Sequence, residues 1–396
     1  MGRRVERTTA QLRRIPAETA CKTLAVRVVV DCLAARTGGG LTYLRSILGA
    51  ALAVDPELEL VLLTADPALL AVLEDDPRVQ TVSPLGPRPS VARRVAFELS
   101  GLGRVAARHR ADVLVCPSEI APLTSPVPVV VGFQNPNLWE RPLPLPLSQR
   151  ARLAALRHLA RASARRAAAC TFVSEHLREA ASVEPSGAEY VVEPPVDPIF
   201  SPRPQVPARF ARLQPYVLTV ADVYRYKNLG VLVDAVARLG RPDLRLVVAG
   251  RRIERAETDR LDRRVAKLGR EGSVTFLGSL PLEEMPGLYT GAACFAFASL
   301  IESFGFPPLE AMACGVPVAC GRASVMPAIL GDAPEWFDPR DAEAARAAIA
   351  LVLNDSVAAR AAVARGLEQT KRFSPQRAGE ALVSVLRATA AYHRIP

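Results

Sequence analysis

The stretch that decides the fold runs Leu300-Ile-Glu302-Ser-Phe-Gly305-Phe306-Pro307-Pro308-Leu-Glu310. It follows the apolar run at residues 294–298 and precedes a helical pattern at residues 308–313, so it predicts a strand, a loop and a helix start. The two prolines fit a helix start, because the N–H groups they lack have no partner in the first turn. A helix N-terminus behind Gly305 exposes backbone N–H groups and the positive end of the helix dipole, which suits a diphosphate.

Two carboxylates, Glu302 and Glu310, lie eight residues apart on either side of this helix start. A carboxylate accepts hydrogen bonds from a pair of vicinal hydroxyls. Two carboxylates at this separation can therefore hold two sugar rings on either side of the phosphates, and the pattern indicates a nucleotide-sugar site. The alternative is an acidic helix start with one solvated loop glutamate.

Working outward, apolar runs alternate with helical patterns through the second half of the chain. The predicted strands are 217–221, 244–249, 274–277, 294–298 and 316–319, and the predicted helices are 229–239, 257–268, 282–289 and 308–313. This alternation predicts a doubly wound parallel sheet with crossover helices. From Asp341 onward the pattern predicts three helices, the last of them N-capped by Ser374.

The first half shows the same alternation, with predicted strands at 24–30, 58–63, 79–82, 113–116 and 127–133. A proline-rich linker at residues 201–215 separates the two halves. We therefore predict an α/β protein with two Rossmann-like domains that face a central cleft. The predicted segments are a disordered basic arm at 1–22, an N-terminal Rossmann-like domain at 23–200, a C-terminal nucleotide-sugar domain at 216–373, and a final helix at 374–396 that packs back toward the N-terminal domain.

Composition excludes several other classes. The 396 residues are 49% hydrophobic with a net charge of +10, which suits a globular two-domain chain. Seven cysteines without a C-x-x-C pair indicate reduced core thiols, and four histidines without H-E-x-x-H or D-x-D predict no metal site and no cofactor. Residues 1–22 lack an apolar signal core, and the charge-free stretch 120–138 contains four prolines, so we expect a cytoplasmic protein without a membrane span.

Further pieces of the second half match a known pattern. They are Ala249-Gly250, Val274-Thr-Phe-Leu-Gly278, the 282–289 helix, Ala298-Ser299 and Glu310-Ala-Met-Ala-Cys-Gly-Val-Pro317. With the two glutamates, they resemble the E-x7-E signature of the retaining GT-B glycosyltransferases of family 4. The resemblance covers residues 190–330 closely and the first half loosely.

The resemblance implies a role for each matching residue. Glu310 would bind the nucleotide ribose, Glu302 the hydroxyls of the donor sugar, and the amides of Gly305 and Phe306 the phosphates. Lys227 matches the family's phosphate-binding lysine, which stabilises the leaving diphosphate without a metal; the alternative is an exposed lysine at a helix start. The N-terminal domain, 23–200, would be the acceptor side, and its loop with Gly39 and Gly40 would reach toward the donor phosphates and the acceptor. The family's mechanism is front-face displacement, in which a leaving-group oxygen takes the acceptor proton.

The chain departs from the family pattern at Asp222, where many members carry an arginine five residues before the lysine. An aspartate facing a diphosphate would repel it. Either Asp222 turns away, or the positive charge of the site comes from elsewhere. Arg225 and Arg251 are the candidates for that charge, and the alternative for Arg225 is a solvent-exposed side chain.

A second departure lies at Gln134 and Asn135, which follow a strand where many relatives carry a histidine. Both side chains can hydrogen-bond a hydroxyl of the sugar or acceptor, but neither can act as a base. His176 lies in a matching stretch before a helix, and we expect it to pack or cap there rather than to catalyse.

The segment 141–166 is basic. It contains seven arginines, and no acidic residue occurs between Arg141 and Ser174. The arginines are Arg141, Arg150, Arg152, Arg157, Arg161, Arg165 and Arg166. Leucines interleave with them, which predicts either an amphipathic helix on an anionic membrane or a packed helix with a solvated basic face. Aromatic residues make up only 5% of the chain, so nucleic-acid binding is disfavoured.

Taken together, the sequence predicts a retaining glycosyltransferase. It would move a hexosyl or amino-hexosyl group from a nucleoside-diphosphate sugar to a hydroxyl of a cell-envelope glycan, a glycolipid or a natural product. One alternative is a non-catalytic subunit that binds nucleotide sugars, which the aspartate and the missing histidine suggest. Another is a sugar-nucleotide epimerase of the same fold, which needs carboxylates flanking the sugar and no acceptor cleft.

Overall fold

The computed structural model describes residues 25–35, 38–66, 73, 75–141, 143–203, 205–269 and 272–393. These residues form two parallel β-sheets with flanking helices. The predicted fold class, two doubly wound Rossmann-like domains, is confirmed. The predicted arm at residues 1–22 lies outside the described residues.

The N-terminal sheet has seven parallel strands in the order β3-β2-β1-β4-β5-β6-β7. Val28, Val29 and Val30 in the first strand are fully buried, as expected where helices cover both faces of a sheet. The strands are β1 Val26–Asp31, β2 Leu58–Leu63, β3 Val79–Val82, β4 Val113–Cys116, β5 Val129–Phe133, β6 Ala169–Phe172 and β7 Ala188–Val191. The helices are α1 Gly39–Val54, α2 Val91–Ser100, α3 Leu102–Arg108, α4 Leu147–Ala164 and α5 Glu175–Ala181, with a 3-10 turn at Pro136–Leu138.

The C-terminal sheet has six parallel strands in the order β10-β9-β8-β11-β12-β13. The strands are β8 Tyr216–Val220, β9 Arg245–Ala249, β10 Val274–Gly278, β11 Cys294–Phe297, β12 Val318–Gly321 and β13 Glu335–Phe337. The helices are α6 Ala208–Ala211, α7 Leu229–Arg238, α8 Arg255–Lys267, α9 Met285–Thr290, α10 Phe306–Ala313, α11 Met326–Leu330, α12 Ala342–Asn354, α13 Ser356–Thr370 and α14 Pro375–His393. Three 3-10 turns lie at Arg225–Lys227, Leu282–Glu284 and Lys371–Phe373.

The structure adds elements that the sequence patterns did not predict. Strands β6, β7 and β13 are only three or four residues long, and runs this short carry little periodicity. The predicted linker at 201–215 contains the short helix α6, and the side chain of Phe210 in this helix is buried. The helix predicted at 282–289 is a 3-10 turn followed by α9.

The last helix, α14, packs on α1 and against β1 of the N-terminal domain, although it follows the helices of the C-terminal domain. The Arg387 guanidinium donates to both carboxylate oxygens of Asp55 at the end of α1, at 2.7 and 2.8 Å. Within the described ranges no single helix meets the length and apolarity of a membrane span, and one sharply bent pair, residues 342–391, meets them only when taken together.

Segments that follow the carboxyl ends of strands in one sheet contact their counterparts in the other. Ser174, after β6, donates to the carbonyl of Ser303, after β11, at 2.9 Å. Ser324, after β12, lies 3.0 Å from a carboxylate oxygen of Glu140, in the segment after β5. The carboxyl ends of the two sheets therefore face each other, which is where open α/β sheets bind ligands.

Candidate active site

A partly buried ion pair lies on the C-terminal side of this cleft. The Lys227 ammonium, in the 3-10 turn after β8, is 2.5 Å from Glu302 Oε1, in the loop after β11. The two side chains are 15% and 13% exposed. The Lys227 Nζ also lies 5.3 and 5.7 Å from the ring centroids of Tyr226 and Phe297. The structure thus brings together two residues that lie 75 positions apart in the sequence.

The helix α10 begins next to this pair. Gly305 precedes it with a φ of +100°, a left-handed conformation that glycine tolerates. Prolines occupy the start of the helix, and no side chain caps its N-terminus. The N–H of Phe306 and the positive end of the helix dipole are thus available to an anion.

Glu310 lies inside the same helix and is 8% exposed. Its Oε2 accepts a 2.6 Å hydrogen bond from the Tyr289 hydroxyl. Burial raises the pKa of Glu310 to about 7, against the lowering effect of the Tyr289 hydrogen bond. The residue that the resemblance assigns to the ribose is therefore a buried carboxyl with one oxygen already engaged.

Asp222, the departure from the family pattern, is neutralised by Arg251. The Arg251 guanidinium donates to both oxygens of the carboxylate, at 3.2 and 2.5 Å, and its backbone N–H donates to Oδ1 at 2.8 Å. Burial raises the pKa of Asp222, but the hydrogen bonds and charge of Arg251 outweigh it, and the pKa is lowered. Arg225 is exposed, and its backbone N–H donates to Glu254 at 2.9 Å.

The glycine-rich loop of the N-terminal domain approaches this arginine. A Cβ atom built on Gly38 would lie 3.9 Å from Arg251 Nη2, so the loop before α1 faces the Asp222–Arg251 pair across the cleft. Gly39 has no atom within 4 Å of an added Cβ, and Gly40 has Gln134 Oε1 at 4.0 Å. Gly38 thus approaches the C-terminal domain, whereas the atom nearest to Gly40 belongs to the N-terminal domain itself.

Gln134 and Asn135 are held by a residue that the sequence patterns did not single out. Oε1 of Glu119 accepts the backbone N–H of both residues at 2.8 Å. Glu119 is 6% exposed and has a φ of +61°. Burial raises the pKa of Glu119 to about 7, although the two backbone hydrogen bonds lower it. The sequence position of Glu119 could have indicated a site residue, because an acidic residue just after the buried strand β4 lies at the carboxyl edge of the sheet.

Glu140 and Ser324, which the sequence patterns also did not single out, form hydrogen bonds that connect the two domains. Glu140 Oε1 lies 2.9 Å from His176 Nε2 and 3.0 Å from Ser324 Oγ. Ser324 Oγ in turn lies 3.1 Å from the backbone carbonyl of Glu302. The hydrogen bond and the charge of Glu140 raise the pKa of His176, although its partial burial lowers it. His176 therefore contacts the interdomain network, which its sequence context did not indicate.

The basic segment forms α4 and its flanks. Leu147 is 79% exposed, and Arg150, Arg152, Arg165 and Arg166 are exposed as well. Ala160, Ser163 and Ala164 at the end of the helix are buried. The helix is therefore anchored at its C-terminal end and solvated at its N-terminal end.

The site contains groups of the kinds that bind phosphates and hydroxyls. It offers one ammonium and a helix N-terminus for phosphates, and carboxylates at both ends for hydroxyls. Within the part of the chain that the structure describes, no three His, Cys, Asp or Glu side chains are grouped so that they could hold a metal ion.

Residues 207–369 match the family model described as glycosyl transferases group 1. The chain is 39% identical over 164 residues to O-antigen chain mannosyltransferase B of Escherichia coli, which covers 41% of this chain and 42% of that protein. It is 31% identical over 204 residues to the GDP-mannose-dependent alpha-(1-6)-phosphatidylinositol monomannoside mannosyltransferase of Mycolicibacterium smegmatis, which covers 47% of this chain and 53% of that protein. The matched stretches thus span about half or less of each relative.

Solved structures match the chain over almost its whole length. Sucrose-phosphate synthase from Thermosynechococcus elongatus superposes with a TM-score of 0.74 at 20% identity and covers 93% of this chain and 100% of that one. Anabaena Alr3699/HepE in complex with UDP and glucose gives a TM-score of 0.71 at 18% identity and covers 92% of this chain and 100% of that one. The architecture of this chain is GT-B, and together with the match over residues 207–369 it supports a glycosyltransferase.

Proposed function

We propose that this chain is a retaining glycosyltransferase, of the type of family 4, that moves a hexosyl or amino-hexosyl group from a nucleoside-diphosphate sugar to an acceptor hydroxyl. The observation that carries the proposal is the partly buried Lys227–Glu302 pair beside the start of α10. An ammonium next to the free N–H of Phe306 at a helix start favours a diphosphate, and the adjacent carboxylate favours sugar hydroxyls.

The charges of the site suit departure of a diphosphate. As the glycosidic bond breaks, the leaving phosphate gains negative charge, which Lys227 and the N–H groups at the start of α10 stabilise in place. The acceptor hydroxyl attacks from the face that the diphosphate leaves, and a phosphate oxygen takes its proton, so the configuration is retained. Glu302 binds the donor sugar in this scheme and does not form a bond to carbon. The Lys227 ammonium supplies the positive charge that a metal ion supplies in other enzymes. We therefore propose that transfer needs neither a metal nor a cofactor.

The relatives guide the choice of substrates. Two of them are mannosyltransferases by name, and one is GDP-mannose-dependent, whereas the HepE structure holds UDP and glucose. We therefore place GDP-mannose first among donors and UDP-glucose second. The named acceptors of those relatives favour a cell-envelope glycan or glycolipid as the acceptor class.

The test is thermal unfolding with saturating GDP, UDP, dTDP or ADP, each with and without EDTA. A nucleotide at 100 times its dissociation constant adds about 2.7 kcal/mol to the free energy of unfolding, which shifts the midpoint by a few degrees. We expect GDP to give the largest shift and EDTA to have no effect. Absence of a shift with all four nucleotides contradicts the proposal. If a nucleotide binds but no labelled sugar is transferred to acceptors in cell extracts, the result supports the non-catalytic subunit instead.

We also propose that the protein is cytoplasmic and contacts the anionic inner face of the membrane through residues 141–166. The exposed Leu147 and the exposed arginines of this segment, with no acidic residue among them, support it. Sedimentation with phosphatidylglycerol vesicles, but not with phosphatidylcholine vesicles, is the expected result. Reversing the charge of Arg165 and Arg166 should abolish it, whereas equal sedimentation with both vesicles contradicts the proposal.

A further inference from the structure

The backbone of Glu302 is held by a side chain of its own domain, Ser324, which follows β12. Ser324 Oγ accepts the Glu302 N–H at 3.3 Å and lies 3.1 Å from the Glu302 carbonyl oxygen. Both backbone polar groups of Glu302 therefore meet a single hydroxyl. The position of the loop that carries the Glu302 carboxylate thus depends on where this hydroxyl lies.

The backbone of Ser324 is strained. Its φ of +51° lies in the left-handed region, which is unfavourable for a residue with a Cβ atom. Such a conformation persists only where the surrounding contacts hold the residue, and it is concentrated at functional sites. The hydrogen bonds of Ser324 Oγ are among the contacts that hold it.

Glu140 of the N-terminal domain is the charged partner of the Ser324 hydroxyl. Its Oε1 lies 3.0 Å from Ser324 Oγ, across the cleft. A hydroxyl has one proton, and a hydrogen bond to a carboxylate is about twice as strong as one to a neutral acceptor. The Ser324 proton therefore points to Glu140 rather than to the Glu302 carbonyl, and the lone pairs of Oγ are left for the Glu302 N–H.

The start of α5 supports this contact from the N-terminal side. His176, in the first turn of α5, has its Nε2 2.9 Å from the same Glu140 oxygen. This oxygen thus lies between an imidazole of its own domain and a hydroxyl of the other. Ser174, which caps α5, donates to the carbonyl of Ser303 at 2.9 Å. The start of α5 therefore contacts the loop after β11 and also fixes the carboxylate that crosses the cleft.

We propose that Glu140 is a positioning residue for Glu302. It orients the Ser324 hydroxyl from the opposite domain, and this hydroxyl fixes the backbone from which the Glu302 carboxylate reaches the donor sugar. The arrangement links the approach of the two domains to the placement of that carboxylate. The role of Glu302 toward the sugar rests on the proposed function, whereas the contact across the cleft does not.

The first measurement is hydrogen exchange, without ligand, of the peptide that contains Glu302. Exchange should increase in Ser324→Ala, which removes the acceptor of the Glu302 N–H, and in Glu140→Ala, which releases it. Glu140→Gln should recover part of the protection, because its amide oxygen still accepts from Ser324. Glu184→Gln, at an exposed position outside these contacts, is the control and should match wild type.

The second measurement separates the sugar from the nucleotide. Calorimetry compares the affinity for the nucleoside diphosphate found by thermal unfolding with the affinity for the corresponding nucleotide sugar. Ser324→Ala and Glu140→Ala should each bind the nucleotide sugar about 10-fold more weakly, the loss expected for one charge-assisted hydrogen bond, and the diphosphate as wild type does. The double variant should lose no more than either single variant, because the two residues act in series.

Three results overturn the proposal: wild-type exchange in Glu140→Ala, no recovery in Glu140→Gln, or additive losses in the double variant. Increased exchange with unchanged affinity for the nucleotide sugar also overturns it, because Glu140 then holds the loop without positioning Glu302 for the sugar. If wild type binds no nucleoside diphosphate, the proposed function fails, and the exchange measurement alone decides whether Glu140 holds Glu302 in place.

Discussion

Lys227 and Glu302 neutralise each other in a setting with little solvent, and this pairing determines how either residue responds to replacement. An unpaired charge in such a place costs more than the pair contributes. In the proposed function, an incoming diphosphate shares the Lys227 ammonium with the Glu302 carboxylate. We therefore expect binding of the nucleotide and binding of the sugar to be coupled at this contact.

Replacing the two partners should separate these roles. Lys227→Met leaves the Glu302 charge without its partner, so we expect a loss of about 3 kcal/mol in unfolding free energy and loss of nucleotide binding. Glu302→Gln releases the ammonium, so nucleoside diphosphate should bind at least as tightly as in wild type while sugar transfer is lost. Calorimetry and a transfer assay measure both, with Lys371→Met, an exposed lysine, as the control. Tighter nucleotide binding by Lys227→Met would refute this assignment.

Glu310 leads to a prediction about pH. Its folded-state pKa, about 7, lies above the ordinary value of 4.5, so the folded protein holds a proton that the unfolded chain releases. Stability from this group is present below about pH 4.5 and is lost as pH rises toward 7. If the ionised carboxylate binds the ribose, nucleotide affinity should rise between pH 6 and 8, as expected from the linkage of ligand and proton binding. In Glu310→Gln, the unfolding free energy, measured with urea, and the nucleotide affinity, measured by calorimetry, should depend less on pH than in wild type. The same pH dependence in the variant and in wild type would contradict this prediction.

At the scale of the element, α10 depends on one backbone conformation. Gly305 adopts a φ of +100°, and a Cβ there would lie 2.4 Å from Cε of Met326 in α11. A flexible methionine can move, but the left-handed backbone strains any residue with a side chain. The position of the helix start thus depends on a glycine.

We expect Gly305→Ala to lower the free energy of unfolding by about 1–3 kcal/mol. The same change should weaken nucleotide binding, because it displaces the N–H groups at the start of α10. Gly272→Ala is the matched control, since Gly272 has neither a positive φ nor an atom within 4 Å of an added Cβ. Urea unfolding of the two variants decides the matter, and equal stability would show that the loop relaxes without cost.

For the whole molecule, α14 joins the two domains. The chain leaves the C-terminal domain at Phe373, whose carbonyl accepts from the backbone N–H of Val196 at 2.9 Å. It then crosses to α1, where a Cβ on Gly379 would lie 2.3 Å from the carbonyl oxygen of Ala50. The backbones of the two helices are in contact at this point. The Ala50 carbonyl belongs to the backbone of α1, so it cannot move aside as a flexible side chain could.

Gly379→Ala should therefore push α14 from α1 and destabilise the protein by about 1–3 kcal/mol. The N-terminal domain depends on this contact, so hydrogen exchange should increase in α1 and not in the C-terminal sheet. Ser384→Ala, at an exposed position of the same helix, is the control. Unchanged protection of α1 in Gly379→Ala would mean that the domain is stable without its last helix.

The sequence by itself determined the two doubly wound sheets, because strands buried on both faces give continuous apolar runs and the helices between them give a 3.6-residue period. It also determined the helix start at Gly305 to Pro308, where proline and glycine restrict the backbone locally. Local chemistry sufficed for both. The short strands β6, β7 and β13 carried too little pattern and could not be predicted.

Only the tertiary structure decided which charges meet. The partners of Asp222 and Lys227 lie 29 and 75 residues away, and Glu119 contacts a loop 15 residues further along the chain. The hydrophobic periodicity of the sequence does not predict such pairs, because they form where the carboxyl ends of different strands converge. The sequence therefore specified the residue types available to the cleft, and the folded chain decided which of them are paired.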